Sequence, residues 1–453
     1  MSNQSFTKAV KKYQPISADF YKGNRERFMA QMKPNSIAIF YSHDEAFRSG
    51  DMTFSPFRQN NDLFYLCGID QEETILILYP DCPKGEKFRE VLLVKHTSEH
   101  VKVWEGYKLD QAQATDFSGI SNVKWVKDSD ALINEMILLA DNIYLNTNEN
   151  DRASFAYATR EERNGRAIKE KYYAHEILRS APIMKKLRMI KQAPELVQIG
   201  KAIKATHDAF VRVCGFIKPG AMEYEVEAEI SHEFLRQGCS GHAYYPIIAG
   251  GGNSCVLHYN DNCRELKDGD IVLMDFGAEY GNYAADLTRV VPVNGKFTPA
   301  QKAVYNAVLS VMRGASDLLR PGTTLEKYSK EVGRLMTQEL VGLGILSQED
   351  VDKEDYDNSD WPLYKKYFMH GTSHHLGLDV HDLMNRYATF EAGMVFTCEP
   401  GIYIPAGSPC DEKYWNIGIR LENDLLINAE GAPTDLMGAI PLEADAIEAL
   451  MAK

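Results

Sequence analysis

The chain has 453 residues, 44% hydrophobic and 25% charged, with a formal net charge of -14 at pH 7. That length is long for one domain and comfortable for two, and the acidic balance, with no basic patch to offset it, excludes unspecific nucleic-acid binding. The eight cysteines form no C-x-x-C pair, the opening Met1–Lys8 lacks an apolar signal core, and no run of eighteen apolar residues occurs, so we expect a cytoplasmic protein with no disulfide framework and no membrane contact.

Up to about residue 175, apolar runs of strand length (Ser36–Tyr41, Thr74–Tyr79, Glu90–Val94) are interleaved with or followed by helical stretches such as Asp128–Leu139. The texture changes around Ser180-Ala181-Pro182, where a basic segment, Met184–Leu196, begins. An α/β domain over residues 1–178 and a second domain over residues 179–453 are expected. Two long helices, about 195–216 and 223–237, open the second part. Gly250-Gly251-Gly252 is followed by no G-K-[ST] and is not a phosphate loop; it is expected to let the backbone pass close to a substrate cleft near His258. Thr298-Pro299-Ala300-Gln301 is a capping box with proline at the first helical position and predicts a helix to about Leu319. The acidic run Glu349–Asp360 reads as a solvated loop. Neither a zincin helix nor a G-x-S-x-G elbow is present, since His232-Glu233 lacks the second histidine.

The chemistry-bearing residues lie in the second part. Asp270–Gly277 is an apolar run ending in Asp275, and Tyr283–Pro292 is a second β-rich run carrying Asp286. The Gly-Asn signal between them suggests a hairpin. With Tyr280 and Gly281 as the central residues, Asp275 and Asp286 would stand opposite each other, a like-charge pair costing about 0.2–1 kcal/mol that a bound cation would reverse. Next, Phe368–Asp382 packs His370, His374, His375 and His381 among small residues, four of the chain's twelve histidines. That density around Gly371 and Gly377 marks a site, with His375 the member most readily read as structural. Gly393–Tyr403 is a strand running into a Pro-Gly turn with Glu399 at its end. Asn416–Asp424 alternates, so that Ile417, Ile419 and Leu421 share one face and Gly418, Arg420, Glu422 and Asp424 the other. Arg420 beside Glu422 fits a cation that orients ligating carboxylates. Gathered together, Asp275, Asp286, His374, Glu399 and Glu422 would carry a charge of minus four, which a partly buried site tolerates only with cations, and two divalent ions would supply them.

These segments, in this order, resemble the aminopeptidase P and prolidase family of metallopeptidases, whose pita-bread fold is shared with methionine aminopeptidase. The five residues fall on the family's Asp, Asp, His, Glu, Glu pattern, and His258 and His381 match two further family histidines. The match covers roughly residues 185–453, and Phe57–Gly68 and Val103-Trp104-Glu105-Gly106 resemble the family's first domain.

The resemblance implies a creatinase-like amino-terminal α/β domain followed by a pita-bread domain. It implies two divalent ions, manganese in first place with cobalt or zinc able to substitute. Asp275 would serve one ion and His374 the other, with Asp286 and Glu422 bridging. Glu399 would be a ligand that also takes a proton from the attacking water, and His258 and His381 would hydrogen-bond the developing oxyanion and shuttle protons. His370 and Arg420 would support the ligands or the substrate.

The implied activity is removal of the first residue from peptides with proline second. The alternative is a prolidase cutting only the Xaa-Pro dipeptide on the same ions. Metal-free amidinohydrolases and non-catalytic binding modules of this fold would be expected to have lost ligands, and all five stand here. A homo-oligomer, dimer or tetramer, is the implied assembly.

Overall fold

The computed structural model describes residues 11–50, 53–147, 149 and 157–452. The chain divides into two compact units between Arg188 and Met189. The division falls after Arg188 rather than after residue 178 because two more elements join the first unit. Glu176–Arg179 is a strand paired in parallel with Asn142–Leu145. The helix that follows is tied back by Arg188, which holds Asp62 at 2.8 Å, and by the Tyr65 hydroxyl, which donates to the Leu187 carbonyl.

The first unit is a six-stranded mixed sheet in the order Val123–Trp125, Glu90–Val94, Ile75–Leu78, Ser36–Tyr41, Asn142–Leu145, Glu176–Arg179. Its central strands are buried along their whole length, so both faces need cover. On one face Ile37, Ile39, Ile75, Ile77 and Val91 pack with Ile133, Met136 and Ile137 of the helix Ser129–Ile137. On the other, Phe40 meets Phe28 of the helix Ala18–Met29 edge to face at 5.3 Å.

The second unit is made of short antiparallel ladders backed by long helices. Ile247–Gly250, Ile271–Asp275 and Thr288–Pro292 form one sheet. Val395–Cys398 pairs with Asn423–Leu426, and Gly401–Ile404 with Ile417–Arg420. Helices Ala193–Phe216 and Glu223–Arg236 pack as one pair, Pro299–Leu318 and Leu325–Gly342 as another. The third of these starts where the capping box predicts: the Thr298 hydroxyl accepts from the Gln301 N–H, and the Gln301 side chain accepts from the Thr298 N–H. An α/β unit is thus followed by a unit of antiparallel ladders backed by paired helices. Among the described residues no helix is long and apolar enough to cross a membrane.

Three local expectations are corrected. The hairpin turns at Gly281-Asn282, with φ of 55° and 68°, and Tyr280 stands opposite Tyr283. Two consecutive left-handed residues suit a tight hairpin turn, and glycine and asparagine adopt that conformation at least cost. Asp275 therefore lies opposite Thr288, while Asp286 sits on the unpaired stretch between two strands. The alternation over 416–424 is not one strand: Ile417–Arg420 and Asn423–Leu426 belong to different ladders, and Glu422 falls in the break. The acidic run is not all loop, because Ser347 caps a helix over Gln348–Lys353 whose first turn carries Glu349 and Asp350. Beyond it, the Tyr356 hydroxyl donates to the Lys330 carbonyl.

Candidate metal centre

Two strand ends, two breaks between strands and one loop converge. Asp275 closes the buried run Ile271–Met274, and Glu399 follows Val395–Cys398. The histidine loop lies alongside the latter strand: the Thr397 N–H donates to the His374 carbonyl, the His374 N–H to the Thr397 hydroxyl, and the Glu399 N–H to the Thr372 carbonyl. These bonds bring His374 Nε2 to 3.5 Å from both Asp286 Oδ2 and Glu399 Oε1. Glu422 enters through Thr288, whose hydroxyl donates to Glu422 Oε2 at 2.7 Å and whose carbonyl accepts the Glu422 N–H. Asp286, His374 and Glu422 are buried, and each offers one ligand atom, all within 4.8 Å of one another.

His374 Nδ1 lies 3.1 Å from the His375 carbonyl. A carbonyl only accepts, so Nδ1 carries hydrogen and the Nε2 lone pair of the neutral ring faces Asp286 and Glu399. His370 is fixed in the same sense. Its Nδ1 donates to the Gly371 carbonyl, and its Nε2 accepts from the Tyr403 hydroxyl at 2.7 Å. That hydroxyl in turn accepts from Arg420 at 2.9 Å, and Arg420 reaches Asp275 Oδ2 at 2.6 Å. Burial and the Arg420 charge push His370 down to about 3, so this ring is a neutral link in the chain.

The other predicted residues take distinct places. The His381 ring stands edge-on to His374 with centroids 4.4 Å apart. His258 is exposed, near enough to His370 that its charge bears on that ring. His375 is buried against Phe396, at 4.1 Å between rings, and burial holds it neutral, down to about 3.

Tyr244 and Asp424 are not among the predicted site residues. The Tyr244 hydroxyl reaches Asp275 Oδ1 at 2.6 Å and Asp286 Oδ1 at 2.5 Å, and Asp424 accepts the Asp286 N–H at 3.2 Å. Nothing in the spacing of Tyr244-Tyr245-Pro246 marks the first. Asp424 could have been found from its face, shared with Glu422.

The electrostatics test whether cations fit. Burial pushes Glu422 well above the usual carboxylate range, reinforced by Asp286, Glu399 and Asp275. Burial pushes Glu399 up to about 7, with His374 opposing and Asp286 reinforcing. Asp286 rises as well, through burial and against its hydrogen bond to His374. His374 rises despite burial because Asp286 and Glu399 favour its charged form. One further oxygen, Asp424 Oδ1, is buried without a hydrogen-bond partner. Arg420 touches only Asp275 of the four predicted acid ligands. The group is short of positive charge, and its oxygen-rich donor set with one imidazole suits hard divalent cations. The residues fit a metal centre.

Comparison with known proteins agrees with this geometry. Residues 197–429 match Metallopeptidase family M24, and residues 21–144 match the aminopeptidase P N-terminal domain. The chain belongs to metallopeptidase family M24. It is 34% identical to Xaa-Pro aminopeptidase of Escherichia coli over 96% of this chain and 98% of that one. Among solved structures, proline aminopeptidase P II from Yersinia pestis superposes with a TM-score of 0.85 at 35% identity, covering 96% of this chain and 100% of the other. Aminopeptidase P from E. coli with the inhibitor Pro-Leu superposes with a TM-score of 0.86 at 33% identity, covering 97% and 99%.

Proposed function

We propose that this chain is a metal-dependent aminopeptidase that releases the first residue from peptides with proline in the second position. The observation that carries the reading is the gathering of Asp286, His374 and Glu422, with Asp275 and Glu399 beside them, in a chain similar to Xaa-Pro aminopeptidases over nearly its full length. Asp275, Asp286, His374, Glu399 and Glu422 would hold two divalent ions. Manganese is favoured by the oxygen-rich set, and zinc or cobalt can substitute. When bound, such ions polarise the scissile carbonyl and make a water acidic at neutral pH.

The chain supplies the rest. Glu399 accepts the proton of the attacking water. His381, beside His374, and His258, at the exposed side of His370, hydrogen-bond the oxygen on which charge develops and pass a proton to the leaving amine. Arg420, through its bonds to Asp275 and Tyr403, holds that carboxylate and His370 in one orientation. Proline lacks an amide hydrogen and its preceding bond can be cis or trans, so a dedicated pocket is required for the ring. We place the enzyme in the cytoplasm as a homo-oligomer.

The test compares hydrolysis of an Xaa-Pro dipeptide with that of Xaa-Pro-Xaa and longer peptides in manganese. Cleavage of the longer peptides is the expected result. Efficient cleavage of the dipeptide with none of the tripeptide would make the chain a prolidase and leave the metal centre as described. A chain that binds no metal and hydrolyses neither would overturn both.

A further inference from the structure

Glu223 is wholly buried, yet no lysine, arginine or histidine forms an ion pair with it among the bonds described. Its carboxylate is instead surrounded by donors from one stretch of chain. Oε1 accepts the Gly250 N–H at 2.7 Å and lies 3.5 Å from the Asn253 amide. Oε2 accepts the Tyr259 hydroxyl at 2.8 Å and the Arg264 N–H at 2.8 Å. The Glu223 N–H returns a bond to the Arg264 carbonyl at 3.0 Å. Four donors come close to filling the acceptor capacity of a carboxylate, and bonds to an ionised group are about twice as strong as neutral ones. The loop between Gly250 and Arg264 is thus folded around one buried carboxylate.

The glycine run serves this packing. A Cβ on Gly250 would come within 2.6 Å of Leu266 and 3.2 Å of Glu223 Oε1, so the backbone comes close to Glu223 and its neighbours. Further along, the Ser254 hydroxyl accepts the Gly418 N–H at 2.9 Å, which fastens the loop to the strand that carries Arg420. His258 lies on this loop, exposed, and its neighbour Tyr259 is one of the four groups bound to Glu223.

We propose that Glu223 and Tyr259 are positioning residues for His258: the buried carboxylate, through the tyrosine next in sequence, fixes the backbone from which the His258 ring reaches the substrate. The inference rests on the role given to His258 above. An exposed ring on an untethered loop would sample many orientations, and loss of alignment at a reacting centre falls on turnover more than on binding.

A double-mutant cycle on the full, manganese-loaded chain tests it, using an Xaa-Pro-Xaa tripeptide and measuring kcat, KM and bound metal. His258→Ala is expected to lower kcat on the order of 10²-fold. Tyr259→Phe, which removes only the hydroxyl, is expected to lower kcat on the order of tenfold with KM and metal content little changed. In the His258→Ala background, Tyr259→Phe should cost nothing further. Glu223→Gln, which keeps the volume but turns an acceptor into a donor, should lose more than Tyr259→Phe, again only while His258 is present. If Tyr259→Phe lowers kcat by the same factor with and without His258, the tether acts elsewhere and the proposal is overturned. If His258→Ala turns over like the wild type, the role of His258 falls and this inference with it, while wild-type cleavage of the tripeptide keeps the aminopeptidase reading in place.

Discussion

Two groups of buried acids in the second unit are handled in different ways. Behind the histidine loop, Asp382 forms an ion pair with Lys191 at 2.7 Å, both side chains 1% exposed. Glu195 nearby accepts the Gln192 N–H and the Tyr283 hydroxyl. Here Lys191 bears on both acids, and burial pushes Glu195 up to about 7 against the pull of Lys191. At the centre, four acids have one imidazole and Arg420, which binds Asp275 alone among them; beyond burial, Glu422 is raised by Asp286, Glu399 and Asp275, Glu399 by Asp286 and Asp275, and Asp286 by Asp275. Burial alone does not separate the two groups. What separates them is that the chain's own donors come close to balancing the first and leave the second in deficit, which is the mark of a ligand site.

Removing one acid from each group is the most direct attempt to break this contrast. Glu422→Gln is expected to lower bound metal and to cut peptide turnover on the order of 10³-fold, as loss of a ligand at a hydrolytic centre does. Glu195→Gln should retain the wild-type metal content. Elemental analysis after dialysis reads both. If Glu422→Gln keeps its metal and Glu195→Gln loses it, the assignment of the two groups is reversed.

A smaller effect probes the boundary of the centre. His381 abuts His374 but is read as a proton carrier, not a ligand. His381→Ala should lower kcat on the order of 10²-fold with metal content intact. Loss of metal in this variant would make His381 a ligand and move it into the charge-deficient group.

Much of the centre was legible because its residues break local rules. An acid closing an apolar strand, as at Asp275 and Glu399, or histidines crowded among glycines, has no packing reason to be there. The helix at Thr298 was legible because capping is written in neighbouring residues. Where partners are distant in sequence, little could be read. The register of the hairpin turns on which two residues take positive φ: Tyr280-Gly281 would set Asp286 opposite Asp275, whereas Gly281-Asn282 sets Thr288 there. Tyr244 gives no local sign that its hydroxyl lies between two acids. The triple glycine reads as backbone passing close to a substrate cleft near His258, and at Gly250 the close neighbours are Leu266 and Glu223. Lys191 was visible only as one of several basic residues, since its partner lies 191 positions away.

A last expected effect sharpens the account of the balanced group, and it is read through stability and not turnover. The unfolded chain releases the Glu195 proton near about 4.3, whereas in the folded chain the carboxyl, raised mainly by burial, holds it up to about 7. Between those values the folded state binds more protons than the unfolded state, so stability falls as pH rises. The contribution of the protonated group is complete below the unfolded value and is lost as pH passes through the folded one. Glu195→Gln carries no such proton. The difference in unfolding midpoint, variant minus wild type, should therefore climb across this window and level off above it. Each kcal/mol corresponds to about 2–4 °C in a domain of this size class. The measurement is made by thermal denaturation after chelator treatment, so that ion binding adds nothing to the midpoints. A difference that stays flat from acid to neutral pH would mean that Lys191 neutralises Glu195 as well as Asp382, and that no proton is needed to balance the group.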